Sequence, residues 1–234
     1  MDSPNALVLF DIDGTLIRRA GRHHRQALEI AIQQTAGVLL STDGVPVAGM
    51  LDPDIITSML LRDGFDRKEI RRFMPDIVRR AQRIYGKSCP NLDRKVCPGV
   101  RPLLKRLQRH GVPTGLVTGN LTAIGWKKME RAGLREYFRF GAFAEMAKNR
   151  AGLVKIAIAE ARRAGWIGPA AQISLIGDHP NDVLAARGNG IRAIAVATGI
   201  VGAEELAAYH PDLLVPDMRA LERTFWLRSA YSKP

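Results

Sequence analysis

Short, unbroken apolar runs recur along this chain, and each gives way at once to polar or turn residues. Residues 6–10 lead into Asp11-Ile12-Asp13-Gly14-Thr15, and 114–117 into Thr118-Gly119-Asn120. Residues 173–176 lead into Gly177-Asp178, and 191–196 into Ala197-Thr198-Gly199. A run that is apolar at every position suits a strand buried on both faces, as in a parallel sheet. Helical spacing fills the intervals over 100–110, 122–132, 153–164 and 182–187. Gly111, Gly133, Gly165 and Gly188 follow these stretches, where a glycine ends a helix. Strands alternating with helices predict βαβ units with right-handed crossovers, and hence a three-layer α/β core around a parallel sheet.

Residues 16–98 break this rhythm. They contain no good buried-strand run. Asp52-Pro53 reads as a helix start, with Asp52 as the capping side chain and proline at the first helical position. Ile55, Ile56, Met59 and Leu60 then share a face. Ile70, Phe73, Met74, Ile77, Ala81 and Ile84 form a second helical pattern, which Pro75 is expected to kink or divide. The expectation is a helical module over 16–98, inserted into a core built from 1–15 and 99–234. Pro98-Gly99 marks the return, and 227–234 reads as a fraying tail.

Composition narrows the class. Of 234 residues, 46% are hydrophobic and 25% charged, which excludes collagen-like and wholly disordered chains. No run of about 18 apolar residues occurs, so no membrane-spanning helix is expected. Cys89 and Cys97 lack Cys-x-x-Cys spacing, and no basic segment precedes the first apolar run. Both point to a reduced, cytoplasmic protein; a monomer or homodimer is expected. The formal net charge of +12 favours anionic partners, or else is a solvated basic surface. Nucleic acid is a poor fit: no helix-turn-helix, zinc finger or aromatic platform is evident, and aromatics are only 6%.

The candidate chemistry sits where the strands end, which is where open parallel sheets bind ligands. Asp11 and Asp13, two apart on extended chain, would project to one side and suit a metal ion or acid/base work. A plain Asp-Gly turn explains them as well. Thr118 and Gly119 could bind an anion at a helix start, or Thr118 or Asn120 could simply cap that helix. Asp178 and Asp182 offer hard oxygen ligands; helix capping is their alternative. Lys148 could neutralise phosphate charge, with Arg150 and Lys155 competing for the role. Arg18, Arg19, Arg22 and Arg25 cluster after the first motif, so a closing lid could recognise an acidic substrate. His23 and His24 read as surface or packing residues. Lys68, Arg72, Arg79 and Arg83 read as a solvated helix face, and residues 49–52 as a loop near the site.

Taken in order, Asp11-Ile12-Asp13-Gly14-Thr15-Leu16, Thr118, Lys148, and Gly177-Asp178 with Asp182 resemble the four motifs of the haloacid dehalogenase-like hydrolase superfamily. The resemblance spans about residues 6 to 200 and is greatest to the phosphoglycolate phosphatase and β-phosphoglucomutase group. It implies a Rossmann-like core with a mobile helical cap between the first two motifs. It implies Asp11 as nucleophile and Asp13 as proton donor and then base. Thr118, Gly119 and Lys148 would hold the phosphoryl oxygens. Asp11, Asp13 (through its carbonyl), Asp178 and Asp182 would bind Mg²⁺. The implied activity is hydrolysis of a small phosphorylated substrate through an aspartyl-phosphate, with a phosphosugar mutase as the alternative. Asn149 stands where many relatives have proline after the lysine.

Overall fold

The computed structural model describes residues 6–18 and 21–222. Six strands form one parallel sheet: β1 (Ala6–Phe10), β2 (Thr114–Val117), β3 (Phe140–Ala142), β4 (Gln172–Gly177), β5 (Arg192–Val196) and β6 (Leu213–Val215). Their order is β3-β2-β1-β4-β5-β6, so the chain reverses direction across the sheet between β1 and β4. That is the Rossmann-like order, and its reversal point leaves a crevice at the carboxyl ends of β1 and β4.

The helices are α1 (His23–Ala36), α2 (Asp52–Arg62), α3 (Arg67–Ser88), α4 (Val100–Arg109), α5 (Thr122–Arg131), α6 (Arg150–Arg163), α7 (Pro180–Arg187), α8 (Ala203–Ala207) and α9 (Met218–Glu222). α6 and α7 pack together against the sheet, while α4 packs with α9. Right-handed crossovers set these pairs on opposite faces, which makes the three layers. Every residue of β1 and β2 is buried, as unbroken apolar runs require.

α1, α2 and α3 stand between β1 and α4, and α3 also packs on α5. The two strands of chain joining them to the sheet run side by side. Cys97 N–H donates to Leu16 O (3.0 Å), and Arg18 N–H to Lys95 O (2.7 Å). Leu16 and Ile17 are themselves buried in the common core.

Several local expectations differ from the structure. Pro75 does not divide its helix; α3 runs through it for 22 residues. A capping box at Asp66 and Glu69 starts α3 and supports that length. Gly188 is not left-handed (φ −63°); Gly190 (φ +64°) takes that conformation two residues later. β3 and β6 were not expected. Each has three residues, too short for a periodic signal. Arg19 and the tail 227–234 lie outside the described residues.

Candidate active site

Asp11 follows β1 directly, and Asp178 follows β4. The register Phe10↔Ile176 and the bond from Asp11 N–H to Ile176 O (3.0 Å) hold these strand ends side by side. Residues 167 apart in sequence thereby meet. Ligand oxygens of Asp11, Asp178 and Asp182 lie within 4.8 Å of one another, and all three side chains are buried. Glycines make the room. A Cβ at Gly14 would lie 2.1 Å from Asp178 Oδ2, and one at Gly177 only 2.2 Å from Asp182 Cγ. Gly14 also has φ +87°, which frees the turn after Asp13.

Three carboxylates in so small a space repel one another. Burial, then the charges of Asp11 and Asp182, push Asp178 well above the usual carboxylate range. Asp182 is raised mainly by burial, although Arg150 opposes the rise. The donor set is all hard carboxylate oxygen, the chemistry Mg²⁺ prefers. Asp182 Oδ1 makes no hydrogen bond of good geometry, its charged neighbour being the guanidinium of Arg150 at 2.8 Å. These residues fit a divalent cation.

The structure does not bring Lys148 to the cavity. That side chain is exposed, whereas Arg150 is buried. Arg150 Nη1 donates to Asp11 Oδ1 (3.0 Å) and lies 2.8 Å from Asp182 Oδ1. The reason is the start of α6. Asn149 caps the helix by accepting from Gly152 N–H (2.9 Å). Arg150 is then the first helical residue and turns toward the carboxylates, while Lys148 precedes the cap and points outward. Burial works against the charge of Arg150, but Asp182 and Asp11 more than offset it and raise its pKa.

Thr118 follows β2 and is fully buried, and with Gly119 it lines the same cavity of about 380 Å³ as Asp11, Asp13 and Asp178. Neither Thr118 nor Asn120 caps α5. The first N–H groups of that helix are taken by other side chains: Leu121 by Asp52 (2.8 Å), Thr122 by Glu145 (3.0 Å) and Ala123 by Gln82 (2.7 Å). The helix end is therefore already neutralised. What remains for an anion is the Thr118 hydroxyl and the Gly119 N–H, which donates to none of the described residues.

Asp13 stands apart from the three-acid cluster. Lys128 Nζ donates to its Oδ2 (2.5 Å), and so does Asn120 Nδ2 (2.9 Å). Burial alone would raise Asp13; Lys128, His24 and Asn120 outweigh it and hold the carboxyl below its ordinary value. Lys128 had no place in the sequence reading. A clue existed: it lies one turn after Ile124 and beside Met129, on a face otherwise buried. His24 is not a mere packing residue. Its Nε2 meets Asp52 Oδ2 at 2.9 Å and its Nδ1 meets Lys128 Nζ at 3.2 Å. Asp52 is likewise no N-cap; Leu51 holds that position and Asp52 reaches across to α1 and α5.

Residues 49–52 lie over the carboxyl ends of the strands. Asp52 N–H donates to Gly119 O (2.8 Å), and Asn181 Nδ2 to Gly49 O (2.9 Å). Arg22 and Arg25 also line the cavity, with Leu28, Val47, Met50 and Ile55.

Comparison with known proteins agrees with this geometry. The chain is 24% identical over 225 residues to a protein named phosphoglycolate phosphatase from Pseudomonas savastanoi pv. phaseolicola, a match covering 92% of this chain and 78% of that one. A β-phosphoglucomutase structure from Clostridium difficile superposes with TM-score 0.68 at 18% identity, covering 97% of each chain. CbbY from Rhodobacter sphaeroides, in complex with phosphate, gives TM-score 0.68 at 21% identity, covering 92% of this chain and 95% of that one. The family described as haloacid dehalogenase-like hydrolase matches residues 6–190, from β1 through α7. A match of that extent takes in every strand end that carries the site, and the chain belongs to the haloacid dehalogenase-like hydrolases.

Proposed function

We propose that the protein hydrolyses a small phosphorylated metabolite through an aspartyl-phosphate on Asp11, with Mg²⁺ held by Asp11, Asp178 and Asp182. The observation that carries this reading is the arrangement at the cavity floor. A buried carboxylate, Asp11, lies beside a buried guanidinium, and a second carboxylate, Asp13, sits separately on its own cation. Two carboxylates in different electrostatic settings suit two different tasks.

Asp11 attacks phosphorus in line, opposite the leaving oxygen. Arg150, the Thr118 hydroxyl and the Gly119 N–H receive the charge on the other phosphoryl oxygens. Asp13 takes a proton from the water that cleaves the phospho-Asp11 bond; to protonate the leaving oxygen it must first be loaded with one, against the pull of Lys128. The bound cation would screen the repulsion between carboxylate and phosphate. The relatives named phosphoglycolate phosphatase support hydrolysis as the outcome. The cavity lining also includes Arg22 and Arg25, which suit a second anionic group on the substrate.

The test is turnover of p-nitrophenyl phosphate by wild type and Asp11→Asn, with and without Mg²⁺. Wild type should release p-nitrophenolate only with the cation, and Asp11→Asn should be inactive. Equal rates from the two proteins would reject Asp11 as the nucleophile.

A further inference from the structure

Lys128 is fully buried on α5, and no part of the chemistry above uses it beyond its contact with Asp13. An ammonium group removed from water costs several kcal/mol unless it is fully paired. Here it is. Its three donors meet three acceptors: Asp13 Oδ2 (2.5 Å), Asn120 Oδ1 (2.6 Å) and His24 Nδ1 (3.2 Å). Because His24 Nδ1 accepts, its Nε2–H donates to Asp52 Oδ2, which fixes the ring. Asn120 is fixed as well, accepting from Lys128 while its Nδ2 donates to Asp13 Oδ2 and to Thr118 Oγ1 (2.7 Å).

The consequence falls on one atom. Lys128 and Asn120 both bind Oδ2 of Asp13. Oδ1 takes no hydrogen bond from the described residues, and 34% of the Asp13 side chain stays exposed in the cavity. Arg150 does not share this task, since its ion pairs go to Asp11 and Asp182.

We infer that Lys128 is a positioning residue for Asp13: it anchors Oδ2 so that Oδ1 is presented to the leaving oxygen and to the attacking water. Two of the site's cations then have separate duties, Arg150 for the nucleophile and Lys128 for Asp13. This inference rests on the proposed role of Asp13, and the experiment separates the two.

p-Nitrophenolate leaves without needing a proton, so with this substrate Asp13 matters only for hydrolysis of phospho-Asp11. Full-length Lys128→Met, Lys128→Arg and Asp13→Asn are compared with wild type by stopped flow in Mg²⁺ buffer. Lys128→Met should keep a fast burst of p-nitrophenolate approaching one per enzyme. Its steady turnover should fall about tenfold to a hundredfold, the range expected when proton transfer is misdirected. Mass spectrometry should find phosphate accumulated on Asp11, and Lys128→Arg should recover part of the turnover. A merely structural lysine would move burst and turnover together, and that result overturns the inference. So does Lys128→Met turnover equal to wild type while Asp13→Asn is impaired; there Asp13 keeps its role and Lys128 loses its own. Asp13→Asn with wild-type turnover overturns both. Should Lys128→Met fail to fold, Lys128→Gln undergoes the same comparison.

Discussion

At the scale of single residues, the acid cluster works against the fold it belongs to. Asp178 accepts from the Thr15 hydroxyl (2.8 Å), but it has no ion pair among the described residues and faces two other acids. Removing its charge relieves repulsion while leaving an acceptor for Thr15. Asp178→Asn should therefore stabilise the cation-free protein by about 1 kcal/mol, as loss of a strained functional group commonly does. Mg²⁺ should raise the Tm of wild type but not that of the variant, because a ligand that binds the native state alone raises Tm. Thermal melts of both proteins with and without Mg²⁺ check this; a lower Tm for the cation-free variant would contradict it. Residue types at strand ends were legible: Asp11, Asp13, Thr118 and Asp178 stand where apolar runs stop, and Asp182 lies in the first turn of the helix after the last of them. The partner cation was not. Lys148 and Arg150 are both basic and two apart, and only the start of α6 at Asn149 decides which one turns inward.

At the scale of elements, the loop 49–52 and the start of α5 form one contact. A Cβ at Gly119 would lie 2.2 Å from Met50 O, against backbone that cannot swing away. Gly119→Ala should push the loop away from the end of β2 and disturb the Asp52 bonds to Gly119 and Leu121. We expect kcat/KM to fall by about tenfold or more, the kind of loss small displacements at a site produce. A helix-capping variant far from the site serves as contrast. Asp66→Ala removes the acceptor for Lys68 and Glu69 N–H at the head of α3 and should cost about 1 kcal/mol of stability. Its kcat/KM should be unchanged. Melting curves and steady-state kinetics on the two variants distinguish contact from scaffold; equal kinetics for both would refute the role given to Gly119. The contact itself was hidden in the sequence, where Asp52-Pro53 reads as an ordinary helix start. Asp52 satisfies another helix's N–H instead, which no local pattern records.

At the scale of the whole molecule, the inserted helices bring charge to the core's cavity. Residues 16–98 carry fifteen Lys and Arg against nine Asp and Glu. Most of that excess is a solvated surface: Lys68, Arg72, Arg79 and Arg83 on α3 are exposed. Arg22 and Arg25 differ because they line the cavity that holds Asp11. Arg22→Ala/Arg25→Ala should raise KM about tenfold for a phosphomonoester that also bears a carboxylate, the scale of one or two lost charge-assisted hydrogen bonds. KM for p-nitrophenyl phosphate, which has no second anion, should stay within about twofold. Parallel shifts for both substrates would remove the arginines from substrate choice. Among the described residues no helix is long and apolar enough to cross a membrane.

The α/β alternation, the inserted helical stretch and the acids at the strand ends were determined by the sequence alone. Each depends on local periodicity or on a residue's place relative to a run, and burial of β1 and β2 on both faces follows from that. Strand order, the short strands β3 and β6, and the choice of Arg150 were decided only by the tertiary structure. So was the set of Lys128, His24, Asn120 and Asp52 around Asp13. The physical reason is that a buried charge is set by what packs against it. Those partners come from elements up to 115 residues distant, which chain topology brings together and sequence periodicity does not encode.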